Sequence, residues 1–190
     1  MHRCLLTVSA LGVTLLGAPA WGLTNFESGT TEGWTAGYSL TVEAGGPAGS
    51  AYDLRCSGAS GSWDQSLNLD LLAAGLWGEV AGGTTLSIDL MAQGGSDVPG
   101  WWLQMFPVIN SQNGGWNQGY FGVNLDGQWA TYTYTYPAQP ADPGAYAQLI
   151  LVNQGGGPLT FRIDNVVIPE PATLGAMGAL ALLAVRRRTR

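Results

Sequence analysis

The residue types that could do chemistry in this 190-residue chain are few and unevenly placed. Its only histidine is His2, inside a segment with the pattern of a leader. Beyond that segment no Ser-His-Asp or Cys-His arrangement is available, and no histidine metal site. Cys56 has no partner other than Cys4 in the same leader, so no disulfide is expected despite export to an oxidising compartment. Its setting, Leu54-Arg55-Cys56-Ser57, predicts a small buried hydrophobe on a strand. No glycine-rich phosphate loop followed by Lys-Ser or Lys-Thr is present. A glycosidase would need two carboxylates facing a cleft, about 5 to 9.5 Å apart. Asp89, Asp97 and Asp126 fall on or near an expected outer face, but no motif singles out a pair. What remains is the chemistry of rings and amides. It concentrates in Trp101-Trp102-Leu103-Gln104-Met105-Phe106 and in the stretch from Asn110 through Trp116, Asn117 and Gln118 to Tyr120.

Charge narrows the function classes. Lysine is absent, and of the thirteen carboxylates all but Glu170 lie in residues 21–168, against Arg55 and Arg162 alone. That stretch therefore carries a net charge of −10. A nucleic-acid partner is excluded on this balance, because neutralising phosphates takes clustered lysine or arginine. Acidic surfaces favour solubility and cations.

The elements that must position these residues read as strands. Thr84 to Met91 places Leu86, Ile88 and Leu90 on one face, with Ser87 and Asp89 on the other. Trp129 to Tyr136 alternates strictly, with Tyr132, Tyr134 and Tyr136 facing one way and Thr131, Thr133 and Thr135 the other. Further strands are predicted at Ser39–Glu43, Ala51–Ser57, Gln65–Leu69, Trp101–Ile109, Gln118–Asn124, Ala145–Asn153 and Leu159–Ile168. Glycine, proline and asparagine punctuate nearly every gap, and only Asp70–Leu76 suggests a helical turn. Many short strands with turn signals predict an all-β sandwich. On a strand, Trp101 and Trp102 face opposite ways. Trp102 shares its face with Gln104 and is expected to be the exposed ring, with Trp101 at the strand mouth as the alternative. Trp116 is expected in a polar loop. Trp34, Trp129, Tyr132 and Tyr134 are expected to fill the core.

Both ends read as targeting devices. Met1-His2-Arg3, the apolar Cys4–Leu16 and Ala18-Pro19-Ala20 have the pattern of a secretory signal peptide over residues 1–20. At the other end, Pro169-Glu170-Pro171 precedes an apolar run, Ala172 to Val185, and the basic Arg186-Arg187-Arg188-Thr189-Arg190. Terminal arginines stay on the cytoplasmic side. The run of fourteen residues spans about 21 Å as a helix, short of the roughly 30 Å hydrocarbon core. The 169–190 tail resembles the PEP-CTERM sorting signal of Gram-negative bacteria. That resemblance implies transient anchoring in the inner membrane through segment 172–185 and recognition by an exosortase-type peptidase near Pro169, Glu170 and Pro171. Release to the cell surface or extracellular matrix would follow.

Residues 21–168 resemble the jelly-roll carbohydrate-binding modules of families 4 and 9. The motifs are Asn25-Phe26-Glu27-Ser28-Gly29 with Gly33-Trp34, Gly49-Ser50-Ala51-Tyr52-Asp53-Leu54, Gly83-Thr84-Thr85-Leu86, Trp129-Ala130-Thr131-Tyr132 and Phe161-Arg162-Ile163-Asp164-Asn165-Val166. The resemblance implies a galactose-binding-like β-sandwich. It also implies a structural Ca²⁺ tying the first strand to the last, with Glu27 and Asp164 at the acidic positions and carbonyls near Gly49 or Ser50 as partners. Calcium takes six to eight hard oxygen ligands, which suits this set. The alternative is that both carboxylates bind turn amides or pair with Arg162. Sugar binding in such sandwiches needs rings over the apolar faces of pyranoses and amides for their hydroxyls. Trp101, Trp102, Gln104, Trp116, Asn117 and Tyr120 are the candidates, with Gln118 a further amide. Two functional readings follow. One is a non-catalytic module binding polysaccharide, such as an exopolysaccharide matrix; the other is a structural envelope or biofilm protein with no sugar ligand.

Overall fold

A computed structural model describes residues 22–59 and 66–168. The expected signal peptide and the sorting tail with segment 172–185 lie outside the described residues. Among those described, no helix is long and apolar enough to cross a membrane.

Two antiparallel sheets of six strands face each other. The first comprises β1 (Gly22–Thr24), β3 (Ser39–Ala44), β4 (Tyr52–Ala59), β6 (Thr84–Ala92), β10 (Ala130–Tyr136) and β12 (Leu159–Val167). Its order is β10-β6-β12-β4-β3, with β1 also on β12. The second comprises β2 (Thr35–Ala36), β5 (Ser66–Asp70), β7 (Leu103–Ser111), β8 (Gly115–Gln118), β9 (Phe121–Val123) and β11 (Ala147–Gly155). Its order is β2-β5-β11-β7, and both β8 and β9 pair with β7. This is a jelly-roll β-sandwich, as the period-2 pattern predicts.

The inward faces form one core. β6 contributes Leu86, Ile88 and Leu90, β12 contributes Phe161 and Ile163, and β7 and β11 contribute Leu103, Met105, Ile109, Leu149 and Leu151. Burying such side chains stabilises by roughly 1.5–3 kcal/mol each, before the entropy of ordering them. Cys56 is buried among them, and burial pushes its thiol pKa up. Trp34 is in the core, and Tyr132 and Tyr134 pack on it. Trp129 does not; it precedes β10 and is only partly covered.

Two local readings are corrected, and one short helix is new. β7 begins at Leu103, so Trp101 and Trp102 precede the strand and escape its alternation. The strand expected over Gln118–Asn124 is divided into β8 and β9, because Gly119 turns its N–H to Pro107 O at 2.7 Å. A side chain at Gly119 would begin 2.5 Å from the Tyr134 ring, so only glycine allows this approach. Asp70–Leu76 makes the expected helical turn, with the Ala74 N–H donating to Asp70 O at 3.0 Å and Asp70 Oδ1 accepting the Leu72 and Ala73 N–H groups. The helix, α1 (Trp77–Ala81), follows it and buries Trp77 and Val80 three residues apart.

Candidate functional site

Strand register places two different surfaces on the outsides of the sheets. On the second sheet, Gln104, Phe106, Val108 and Asn110 alternate with the core residues of β7, opposite Gln154, Val152, Ile150 and Gln148 of β11. Phe106, Val108, Ile150 and Val152 form a second apolar cluster, with amides at both ends. All four are buried, so the accessible surface of this face is its rim.

At one end of that rim lies a groove of about 530 Å³ lined by Trp101, Trp102, Leu103, Gln104, Tyr120, Gly122, Val123 and Asn124. Trp101 is 89% exposed and meets Trp102 edge to face, with ring centroids 6.4 Å apart. Trp102, expected to be the exposed ring of the pair, is partly buried. With both residues ahead of the strand, the chain holds Trp102 against the groove and leaves Trp101 outside. Tyr120 is 54% exposed, tilts against Phe106 at 5.6 Å, and its hydroxyl accepts from Gln104 Nε2 at 3.3 Å. Gly122 faces Gln104 across the β7–β9 pair, and a side chain there would begin 3.4 Å from the Tyr120 hydroxyl. The groove thus offers two indoles, a phenol and two primary amides, with no carboxylate or cation among the described residues of its lining. It can stack on apolar ring faces and exchange hydrogen bonds with hydroxyls.

Two expected residues stand apart from it. Trp116 lies on β8 rather than in a loop, paired with Asn110 and 51% exposed. Asn110 is six residues from Gln104 along β7, about 20 Å at roughly 3.3 Å per residue. Trp116 Nε1 donates to Gln118 Oε1 at 3.1 Å. Asn117 does not face the rim. It pairs with the inward Ile109, and its Nδ2 donates to Gly114 O and Gln139 Oε1 at 3.1 and 2.9 Å. The pleat turns alternate residues to opposite faces, so Trp116 and Gln118 take the outer one. Asn110, which opens the polar stretch, shares this face with Gln148 and Gln154, two amides that went unread although they flank an apolar run on β11.

The expected metal residues meet at the other sheet. Glu27 Oε1 accepts from the Ser50 hydroxyl and the Ala51 and Tyr52 N–H groups at 2.7, 2.7 and 3.3 Å. The Ser50 and Ala51 donors hold its pKa below the ordinary value. Asp164 is buried, and its Oδ1 accepts the Asn165 N–H at 2.7 Å. Burial pushes its pKa up. Asp164 Oδ2 and Ser50 Oγ both lie 3.1 Å from where a side chain at Gly46 would begin. The Ser50 proton goes to Glu27, so Oδ2 is left without a donor. Phe26 and Asn165, each beside one of these carboxylates, have positive φ of 57° and 43°. With that orphaned oxygen, Asp164 fits a hard cation. Glu27 Oε1 is already saturated with turn donors. Among the described residues no cluster of three or more acidic, cysteine or histidine ligands occurs, so carbonyls would have to complete a site. Arg162 pairs with neither residue; it binds Asp53 and Glu43.

No family model matches the chain, and no curated protein does. Solved structures do. The CBM22-1 xylan-binding domain of Paenibacillus barcinonensis Xyn10C superposes with a TM-score of 0.53 at 20% identity, over 77% of this chain and 91% of that one. The C-terminal family 22 carbohydrate-binding module of Clostridium thermocellum Xyn10B gives 0.56 at 14%, over 77% and 90%. A family 16 carbohydrate-binding module gives 0.52 at 13%, over 77% and 96%. At such identities the likeness is one of fold, to families 22 and 16 where the motifs resemble 4 and 9.

Proposed function

We propose that this chain is an exported, non-catalytic protein that binds neutral polysaccharide through the groove at Trp101, Trp102, Gln104 and Tyr120. The observation that carries this is Trp101. A tryptophan 89% exposed beside a second indole has no packing reason for its place. The uncharged lining suits a neutral glycan, and solved modules of this fold include xylan-binding ones. Trp116, at the far end of the same face, would extend contact along a chain polymer. Asn117 serves the hairpin and is withdrawn from the sugar-binding set.

Calcium belongs to this proposal through Asp164, whose orphaned Oδ2 would be satisfied by a cation that binds the native state alone. Export, exosortase processing and display at the surface or in the matrix rest on the sequence of the two ends. The test is retention on insoluble xylans, glucans and the producer's own exopolysaccharide. Wild type should be retained, and Trp101→Ala should weaken retention at least tenfold, about 1.4 kcal/mol, with an unchanged melting temperature. A folded wild type that binds none of these would leave the second reading, a structural building block of the envelope or biofilm.

A further inference from the structure

Among the described residues the sheet edges are blunted in all but one place, β1 being only three residues long. β2 has two residues, while β8 and β9 have four and three. β3 carries the charged Glu43 and ends at the Gly45-Gly46 turn. The exception is β10, seven residues long and, among the described residues, paired only with β6. It contains no charge, proline or glycine. Among the described residues, no hydrogen bond engages its backbone outside that pairing. Alternate residues of an antiparallel edge strand turn both N–H and C=O outward, which makes a template for another strand. Natural edges normally carry lysine, proline or a bulge against this, and β10 has none.

The strand is also held ready. Tyr132 and Tyr134 pack on the core, Tyr136 is buried, and Gly119 fits against the Tyr134 ring. Thr131, Thr133 and Thr135 remain exposed on the other face. A pre-ordered strand loses little conformational freedom on pairing. What it fits is written in its order. Thr131-Tyr132-Thr133-Tyr134-Thr135 reads the same in both directions, so a second copy laid antiparallel about Thr133 sets threonine against threonine and tyrosine against tyrosine. Such cross-strand pairs are favourable ones. A two-fold axis at that point makes a closed, self-complementary contact. In a strongly acidic domain, an uncharged edge is also where two copies meet at least electrostatic cost.

We infer that β10 is a self-association edge: two copies of this chain join antiparallel through Ala130–Tyr136, with the two-fold axis at Thr133, merging their first sheets into one. The contact falls below the roughly 1,200 Å² of a standard interface, so the dimer should be weak. Added salt should strengthen it by screening like charge.

The register gives the test. In the full chain with Cys4→Ser, Thr133→Cys should cross-link to its own copy under mild oxidation. Thr131→Cys alone should do so at least tenfold less, and should cross-link when mixed with Thr135→Cys, its partner in the pairing. In sedimentation equilibrium, Thr133→Lys should weaken association at least tenfold with an unchanged circular dichroism spectrum. A wild type still monomeric at about 0.5 mM, toward the millimolar end of the affinity scale, would overturn the inference. So would equal cross-linking at positions 131 and 133, or a dimer indifferent to Thr133→Lys.

Discussion

The outer faces of the two sheets are opposites. On the first, Glu43, Asp53, Asp164 and Asp89 lie side by side across β3, β4, β12 and β6, with Arg55 and Arg162 in the next row. Around them is a polar pocket of about 270 Å³ that includes Gln93 and Asp97. On the second, the amides Gln104, Asn110, Gln148 and Gln154 frame an apolar strip, and the rim holds Trp101, Trp102, Tyr120 and Trp116. The first face spends its charges on itself. Arg162 Nε donates to the buried Asp53 at 2.9 Å, and Glu43 bridges Arg162 and Arg55 at 3.4 and 3.2 Å. The second face leaves rings and amides open. Charge on the first face is turned to cohesion, while the second presents uncharged rings and amides.

The sharpest way to break that contrast is Arg162→Ala. It would leave Asp53, with no exposed surface, facing Glu43 without its cation. Stranding a buried partner costs about 3–5 kcal/mol. Chemical denaturation should show a loss of that order, while sugar retention of the folded fraction stays at the wild-type level. The same loss for Arg55→Ala would contradict this contrast, because the Arg55–Glu43 pair is partly open to solvent and worth about 1 kcal/mol or less.

A smaller effect sharpens it. Burial raises the pKa of Asp53 and Asp164 above the ordinary 3.8, Arg162 partly offsetting this at Asp53. The folded form then holds protons that the unfolded chain has released. Stability from these groups is fullest below the unfolded value and falls as pH rises through the folded ones. Glu27 runs the other way: its contribution is present above 4.5 and lost on acidification, and its full exposure keeps it small. Melting curves from about pH 4 to neutrality should therefore decline with pH, and Asp164→Asn should flatten the decline. Added Ca²⁺ should raise the neutral melting temperature of wild type and leave Asp164→Asn unmoved. Equal response in both would remove calcium from Asp164.

Much of the fold was legible because most strands bury one face. β6 and β10 alternate cleanly, and their register sets leucines, isoleucine and tyrosines inward against polar residues outward. β7 and β11 could not be divided in the same way, since Phe106, Val108, Ile150 and Val152 make their outer faces apolar too. The groove was half legible. Trp101, Trp102, Gln104 and Tyr120 converge as the ring-and-amide pattern suggested. Which indole is exposed depended on where β7 starts, and an apolar pair before Leu103 does not announce that. Gly115 next to Trp116 looked like a loop and is a strand start, which is why Asn117 was counted among the sugar-binding amides. Glu27 and Asp164 are brought to one place by Ser50, from opposite ends of the domain, as the motifs implied.

Amide and indole NMR shifts would map directly where soluble xylo- and gluco-oligosaccharides touch the protein. Saturable shifts are expected at the indole N–H groups of Trp101 and Trp102, the side-chain amide of Gln104 and the backbone of Gly122, with Arg55 and Arg162 silent. Shifts centred on the Arg55–Arg162 pocket, or none from any oligosaccharide, would contradict sugar binding at the groove.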